Sequence, residues 1–175
     1  MLSRSATMRL ILAATLTLLA SPAAAGELFG GAYVHGVDTP LTLGGDREDG
    51  ADLVLGYRGD PTTRWRLEPY GYVAVNTAGE TSHAAIGVSR KFGDRFYVRP
   101  GLGIAVHTGS AGNFDRPDRI AFGSRILFEP ELGIGAQVNE RLSVEAHWIH
   151  LSHAQIFGKQ NPGIDIIGAR LNWRL

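Results

Sequence analysis

The chain is 175 residues long, with 17 basic and 17 acidic residues, 44% hydrophobic residues and no cysteine. Charges that cancel leave no basic footprint for nucleic acid. Without cysteine there is no disulfide framework, no thiolate nucleophile and no cysteine metal site.

Residues 1–25 read as a secretory signal peptide. Arg4 and Arg9 make a basic start, Leu10 to Ala20 an apolar run, and Ala23-Ala24-Ala25 a small-residue cleavage site before Gly26. The run falls short of the ~18 apolar residues that mark a membrane helix, and no later run approaches that length. The leader holds two basic residues and no acidic ones, so residues 26–175 carry 15 positive against 17 negative charges, a net −2. These roughly 150 residues are enough for one domain with its own core.

From residue 26 onward glycine is frequent, and aromatic and β-branched residues fall in short runs between turn signals, as in all-β proteins. Alternation of apolar and polar residues marks eight segments, at 27–36, 50–58, 64–76, 81–92, 95–107, 122–138, 141–152 and 163–175. The third sets Trp65, Leu67, Pro69, Val73 and Val75 opposite Arg66, Glu68, Tyr70 and Tyr72. The fifth sets Phe96, Val98, Leu102, Ile104 and Val106 opposite Tyr97, Arg99 and His107, and the sixth sets Ile126, Phe128, Leu132 and Ile134 opposite Glu129, Glu131 and Gln137. In the seventh, Leu142, Val144, Ala146, Trp148, His150 and Ser152 share a face. In the eighth, Asp165, Ile167, Ala169, Leu171 and Trp173 do.

One face is thus apolar, while the other carries Arg58, Glu68, Arg99, Glu129, Glu131, Glu145 and Arg170 diluted with glycine. A soluble barrel or sandwich shows the same alternation. Three features point instead to an eight-stranded antiparallel transmembrane β-barrel of the bacterial outer membrane, spanning 26–175. Connections at 59–63, 93–94 and 139–140 are tight, whereas 37–49, 108–121 and 153–162 are long, with 77–80 the short exception; outer-membrane barrels combine short periplasmic turns with longer outer loops. Tyr57, Trp65, Phe92, Phe96 and Trp173 gather on the apolar face at the tight-turn end, as interfacial aromatics do. Inward arginines and glutamates can neutralise one another in a narrow eight-strand barrel. Pro69, Pro100 and Pro130 fall inside segments, each removing a ladder donor, and are expected to mark bulges or segment boundaries.

With both termini in the periplasm, the seventh segment runs outward and ends near His150 and Ser152. Residues two apart on a strand share a face at about 7 Å spacing. Antiparallel pairing of Ser152 with Gly163 sets His150 opposite Asp165, with Cβ atoms about 4.5–5.5 Å apart. A hydroxyl, an imidazole and a carboxylate then project together toward hydrocarbon. In that order Ser152 is the nucleophile and His150 takes and returns its proton, while Asp165 fixes the imidazole. Asn161, with backbone N–H groups in 153–156, is the candidate oxyanion donor.

Other polar residues invite weaker readings. His147, His150 and His153 have a metal-like spacing, but on a strand His147 and His150 face opposite ways, and no metal or cofactor is expected. Asp46, Glu48 and Asp49 lack the full calcium-loop pattern and read as a solvated loop. Arg116 and Arg119 read as solvated loop arginines, with contact to lipid phosphates the weaker alternative. His35, His83 and His107 carry no functional argument.

At these residues the chain resembles the lipid A 3-O-deacylase family, the PagL-like outer-membrane esterases. The match lies in His150-Leu151-Ser152, Asn161 and Gly163-Ile164-Asp165 before a terminal strand, and upstream it covers architecture only. The resemblance implies a serine esterase that removes the acyl chain at the 3 position of lipid A, with its site on the barrel exterior. It implies Ser152 as nucleophile, His150 as base and Asn161 in the oxyanion hole. Three positions depart from the family: Asp165 stands where its best-known members have glutamate, His153 where asparagine usually follows the serine, and Gln155 where a glycine contributes a backbone donor. The partners implied are lipopolysaccharide as substrate and the membrane itself; a homodimer stays open. The competing readings are a non-catalytic structural or adhesive outer-membrane barrel and a soluble barrel holding an apolar ligand inside.

Overall fold

The computed structural model describes residues 26–42, 48–62, 64–112, 119–154, 156 and 162–175; the expected leader, residues 1–25, lies outside them. Eight antiparallel staves close into a barrel: β1 (Gly26–Val34), β2 (Ala51–Gly59), β3 (Glu68–Asn76), β4 (His83–Ser89), β5 (Phe96–His107), β6 (Ile126–Gln137), β7 (Leu142–Leu151) and β8 (Ile164–Arg174). Phe92–Gly93 prolongs β4 against β5, keeping the register that sets Ser89 opposite Gly101 and Phe92 opposite Val98. Closure comes from β1 and β8, which pair from Glu27 opposite Arg174 to Val34 opposite Ile167. Closing the sheet satisfies its backbone donors and acceptors stave to stave, which is what hydrocarbon requires.

The alternation is realised with its apolar side outward. Leu53, Leu55, Val73, Val75, Ile86, Leu102, Ile104, Ile134 and Leu171 are exposed, whereas Arg58, Arg99, Arg170, Glu129, Glu131 and Glu145 are buried in the lumen. A water-soluble barrel has the reverse pattern, so the exposed band is a surface for lipid. Trp65, Phe92, Phe96 and Trp173 are exposed at the tight-turn end, where interfacial aromatics belong.

Buried charges are tolerated only when each finds opposite charge and hydrogen bonds. Arg58 donates to Glu27 at 2.6 Å and to Glu131 at 3.2 Å. Arg170 donates to Glu131 at 3.3 Å and Tyr33 at 3.0 Å, and Arg99 to Glu145 at 2.8 Å. Both Tyr70 and Tyr72 donate to Glu129. Glycine on the inner face makes room for these side chains: a Cβ on Gly103 would lie 2.5 Å from Glu129 Oε2.

Toward the outer end the lumen turns apolar. Ile120, Phe122, Leu127, Ile149, Leu151, Ile164 and Ile166 are fully buried members of the core cluster. Glu48 fastens this plug, accepting hydrogen bonds from Ile120 N at 3.0 Å and Thr81 N at 3.1 Å, with His35 Nε2 at 3.3 Å. The expectation of a solvated Asp46–Asp49 loop is therefore corrected at Glu48, which is buried because two other connections converge on its carboxylate. Asp49 is exposed, and Asp46 lies outside the described residues. Burial opposes ionisation of Glu48, but the bonds from His35, Thr81 and Ile120 outweigh it and hold the carboxyl below its ordinary range. Burial likewise disfavours protonated His35, yet bonds to Asp52 and Glu48 raise its pKa to about 9.

Two segments, those predicted from residues 64 and 122, begin four residues later than the alternation predicts. Residues 64–67 form a turn, with Arg66 at φ 53° and Thr62 bridged to Leu67 by reciprocal backbone bonds of 2.7 and 3.1 Å. Ile120–Phe122 tuck into the plug, where the Phe122 ring lies 4.5 Å from that of His107, instead of extending β6. The prolines sit where pairing starts or lapses. Pro69 is the second residue of β3, and Pro100 accepts from Arg90 N at 3.0 Å but cannot donate back, at the gap between Ser89 and Phe92.

Candidate active site

Strands β7 and β8 pair from Leu142 opposite Trp173 to Leu151 opposite Ile164, which sets His150 opposite Asp165 as the sequence predicts. On the other side of β7, Phe128 N donates to Ser152 O at 2.7 Å and Ser152 N to Phe128 O at 3.2 Å. The backbone polar groups of Ser152, and of His150 two residues back, therefore point toward β6. Across to β8, His150 and Asp165 form a non-hydrogen-bonded pair, the kind that brings opposed side chains closest. His150 Nδ1 lies 2.8 Å from Asp165 Oδ1. That close register lets the short aspartate side chain reach the ring. Ladder pairing of β6 and β7 lapses between Glu131–Ile149 and Phe128–Ser152, at Pro130, which has no N–H to give to His150.

All three candidate side chains have outward parity, but they do not project into hydrocarbon. His150, Ser152 and Asp165 are 8%, 7% and 0% exposed. The reason is barrel closure: because β1 neighbours β8, the connection leaving β1 crosses the outer end of β8. Val37 N donates to Asp165 O at 2.9 Å. Residues Thr39 to Thr42 then form a tight reversal closed by backbone bonds of 3.3 and 3.1 Å, with Pro40 at its corner. From it the Thr39 hydroxyl donates to Asp165 Oδ2, and Thr42 Oγ1 lies 3.4 Å from His150 Nδ1. Trp148 contributes a third contact, donating from Nε1 to Asp165 Oδ1 at 2.9 Å. Its ring stacks near His150, centroids 6.0 Å apart and planes at 24°.

These contacts fix the chemistry of the imidazole. Nδ1 faces carboxylate and hydroxyl oxygens and carries the proton, leaving Nε2 as the basic nitrogen. Gly163, at φ 45°, passes the ring edge so closely that a Cβ there would lie 3.0 Å from His150 Cε1. Ser152 continues the same face one step beyond His150. Among the described residues the arrangement gathers a hydroxyl, an imidazole and a buried carboxylate on two adjacent staves. Asn161 and Gln155 lie outside the described residues. His153 is buried. Thr39, Thr42 and Trp148 were absent from the sequence-derived site; Trp148 shared its face, but nothing local ties Thr39 to a residue 126 positions away.

The remaining polar candidates belong to the scaffold. His147 points into the lumen with Nε2 3.4 Å from Glu131 Oε2. His83 lies 3.3 Å from the Tyr72 hydroxyl, and His107 Nε2 is 2.7 Å from Ser124 O. Arg119 pairs with Glu80 at 3.5 Å, and Arg116 lies outside the described residues.

A family model described as lipid A 3-O-deacylase (PagL) matches residues 51–174. Among solved structures, the crystal structure of the outer membrane enzyme PagL superposes with a TM-score of 0.58 at 22% identity, covering 87% of this chain and 100% of that one. The backbone structure of the Yersinia pestis outer membrane protein Ail gives a TM-score of 0.48 at 10% identity, covering 86% of this chain and 100% of that one. No curated protein matches. At these identities the likeness to the PagL structure is one of fold.

Proposed function

This chain belongs to the lipid A 3-O-deacylase family, ester hydrolases of the outer membrane, and from that premise we propose that it removes the 3-position acyl chain of lipid A by serine catalysis. Ser152 is the nucleophile, His150 the general base and Asp165 the acid that orients it. The observation that carries this reading is the 2.8 Å contact between His150 Nδ1 and Asp165 Oδ1 on the outward face, one alternate residue from Ser152.

Ser152 Oγ attacks the acyl carbonyl carbon as His150 Nε2 takes the hydroxyl proton. The tetrahedral oxyanion collapses, the C–O bond to the sugar breaks, and His150 returns the proton to the departing sugar oxygen. Water, deprotonated by the same nitrogen, then attacks the acyl-serine ester and releases the fatty acid with Ser152 restored. Asp165 keeps Nδ1–H in place and stabilises the imidazolium during both steps. Asn161 is our candidate for the oxyanion donor. Residues 1–25 we read as the leader that delivers the chain for export.

The test is fatty-acid release from purified lipopolysaccharide by the refolded barrel. Ser152→Ala should give a folded barrel with no release above background. Release at the wild-type rate from that variant would remove Ser152 from the reaction.

A further inference from the structure

We propose that Thr39 and Trp148 are positioning residues that lock the Asp165 carboxylate, so that the first outer connection is part of the catalytic apparatus. The inference rests on the Ser152–His150–Asp165 reading and adds to it the groups that make the acid rigid.

Both oxygens of Asp165 are engaged. Oδ1 accepts from His150 Nδ1 at 2.8 Å and from Trp148 Nε1 at 2.9 Å, and Oδ2 accepts from the Thr39 hydroxyl. An indole N–H can only donate, so the role of Trp148 is unambiguous. The direction of the Thr39 proton is also set: Leu41 N donates to Thr39 Oγ1 at 3.1 Å, which turns the single hydroxyl hydrogen toward the carboxylate. The carboxylate is therefore held by two side chains of the neighbouring stave on one oxygen and by a loop from the far end of the chain on the other.

This matters because an aspartate beside a histidine has two jobs, fixing a tautomer and fixing an angle. A carboxylate free to rotate about its last bond does the first and fails at the second, and a small misplacement of the base is costly in rate. Thr39 itself is held by the Thr39–Thr42 reversal and by Val37 N bonded to Asp165 O at 2.9 Å. The strap thus grips the acid through both backbone and side chain.

The experiment measures kcat and KM on lipopolysaccharide for the full barrel, together with the rate of Ser152 labelling by a fluorophosphonate, which reads nucleophile activation without the lipid. Folding of each variant is checked by heat-modifiable gel migration. Thr39→Val should lower kcat and labelling about tenfold, the scale of one lost hydrogen bond to a charged group, with KM within about twofold. Thr39→Ser should restore most of the loss. Trp148→Phe, which keeps a ring beside His150 and removes the donor, should behave like Thr39→Val. In an Asp165→Asn background, Thr39→Val should have no further effect, because the residue acts through the carboxylate. Wild-type kcat in Thr39→Val, or a full tenfold further loss on top of Asp165→Asn, would overturn the proposal. Should Ser152→Ala remain active, it is the underlying serine reading that fails; a silent Ser152→Ala beside a fully active Thr39→Val sinks the strap alone.

Discussion

Two histidines three residues apart on β7 each face a carboxylate, on opposite sides of one barrel wall. His147 Nε2 lies 3.4 Å from Glu131 in the lumen, and His150 Nδ1 lies 2.8 Å from Asp165 outside it. Their difference lies in what else holds each carboxylate. Glu131 also binds Arg58 and Arg170, so its charge is already matched by fixed cations. Beyond His150, Asp165 takes its side-chain hydrogen bonds from neutral donors, Thr39, Thr42 and Trp148, which orient its charge without cancelling it. A carboxylate in that state can stabilise an imidazolium when one forms, whereas Glu131 serves to neutralise a crowded lumen. A histidine–carboxylate pair is scaffold on one face and, in the proposed mechanism, chemistry on the other.

Substitutions on the two carboxylates should separate these roles most widely. Asp165→Asn should leave the barrel folded while kcat falls by about a thousandfold or more, since the amide no longer fixes the tautomer or the imidazolium. Retention of more than a tenth of wild-type kcat would mean that Asp165 is not the orienting acid. Glu131→Gln should do the opposite. Removing one partner from a buried network costs about 3–5 kcal/mol of stability, which denaturant unfolding in lipid vesicles will show. The fraction that remains folded should turn over at close to the wild-type rate.

The smallest effect belongs to the plug that backs the site. His35 has its pKa raised from 6.5 to about 9 by its bonds to Asp52 and Glu48, against the opposing effect of burial. Its contribution to stability is therefore full below pH 6.5 and fades as pH rises through about 9. Glu48 is shifted downward, so its contribution is present above the ordinary carboxylate range and lost on acidification. Hydrogen-exchange protection of the Ile120 and Thr81 amides should thus be highest in mildly acidic solution and decline on both sides. Protection that increases steadily from pH 6 to 10 would contradict the assignment of Glu48 as their anchor.

Much of this was legible in the sequence because strand alternation is a strict code: a period of two fixes the face of every residue once one is known. That code placed Arg58, Glu131 and Arg170 inside, Leu102 and Ile104 outside, and His150 opposite Asp165. It overran at 64–67 and 122–125, where alternation continues although Arg66 turns the chain and Phe122 fills the barrel mouth. What sequence pattern cannot supply is the path of a connection between staves. Thr39 reaches Asp165 only because β1 and β8 are neighbours in the closed barrel, and Glu48 is buried only because the same closure brings Thr81 and Ile120 to it. Closure likewise explains why an outward-facing site is covered rather than open to lipid.

The most direct measurement is turnover of lipopolysaccharide by His150→Gln and His147→Gln, prepared as folded barrels and compared side by side. His150→Gln should release no fatty acid above background, while folded His147→Gln should turn over within a few fold of wild type. Equal activity in the two variants, or activity lost only in His147→Gln, would contradict the placement of the chemistry on the outer face of β7.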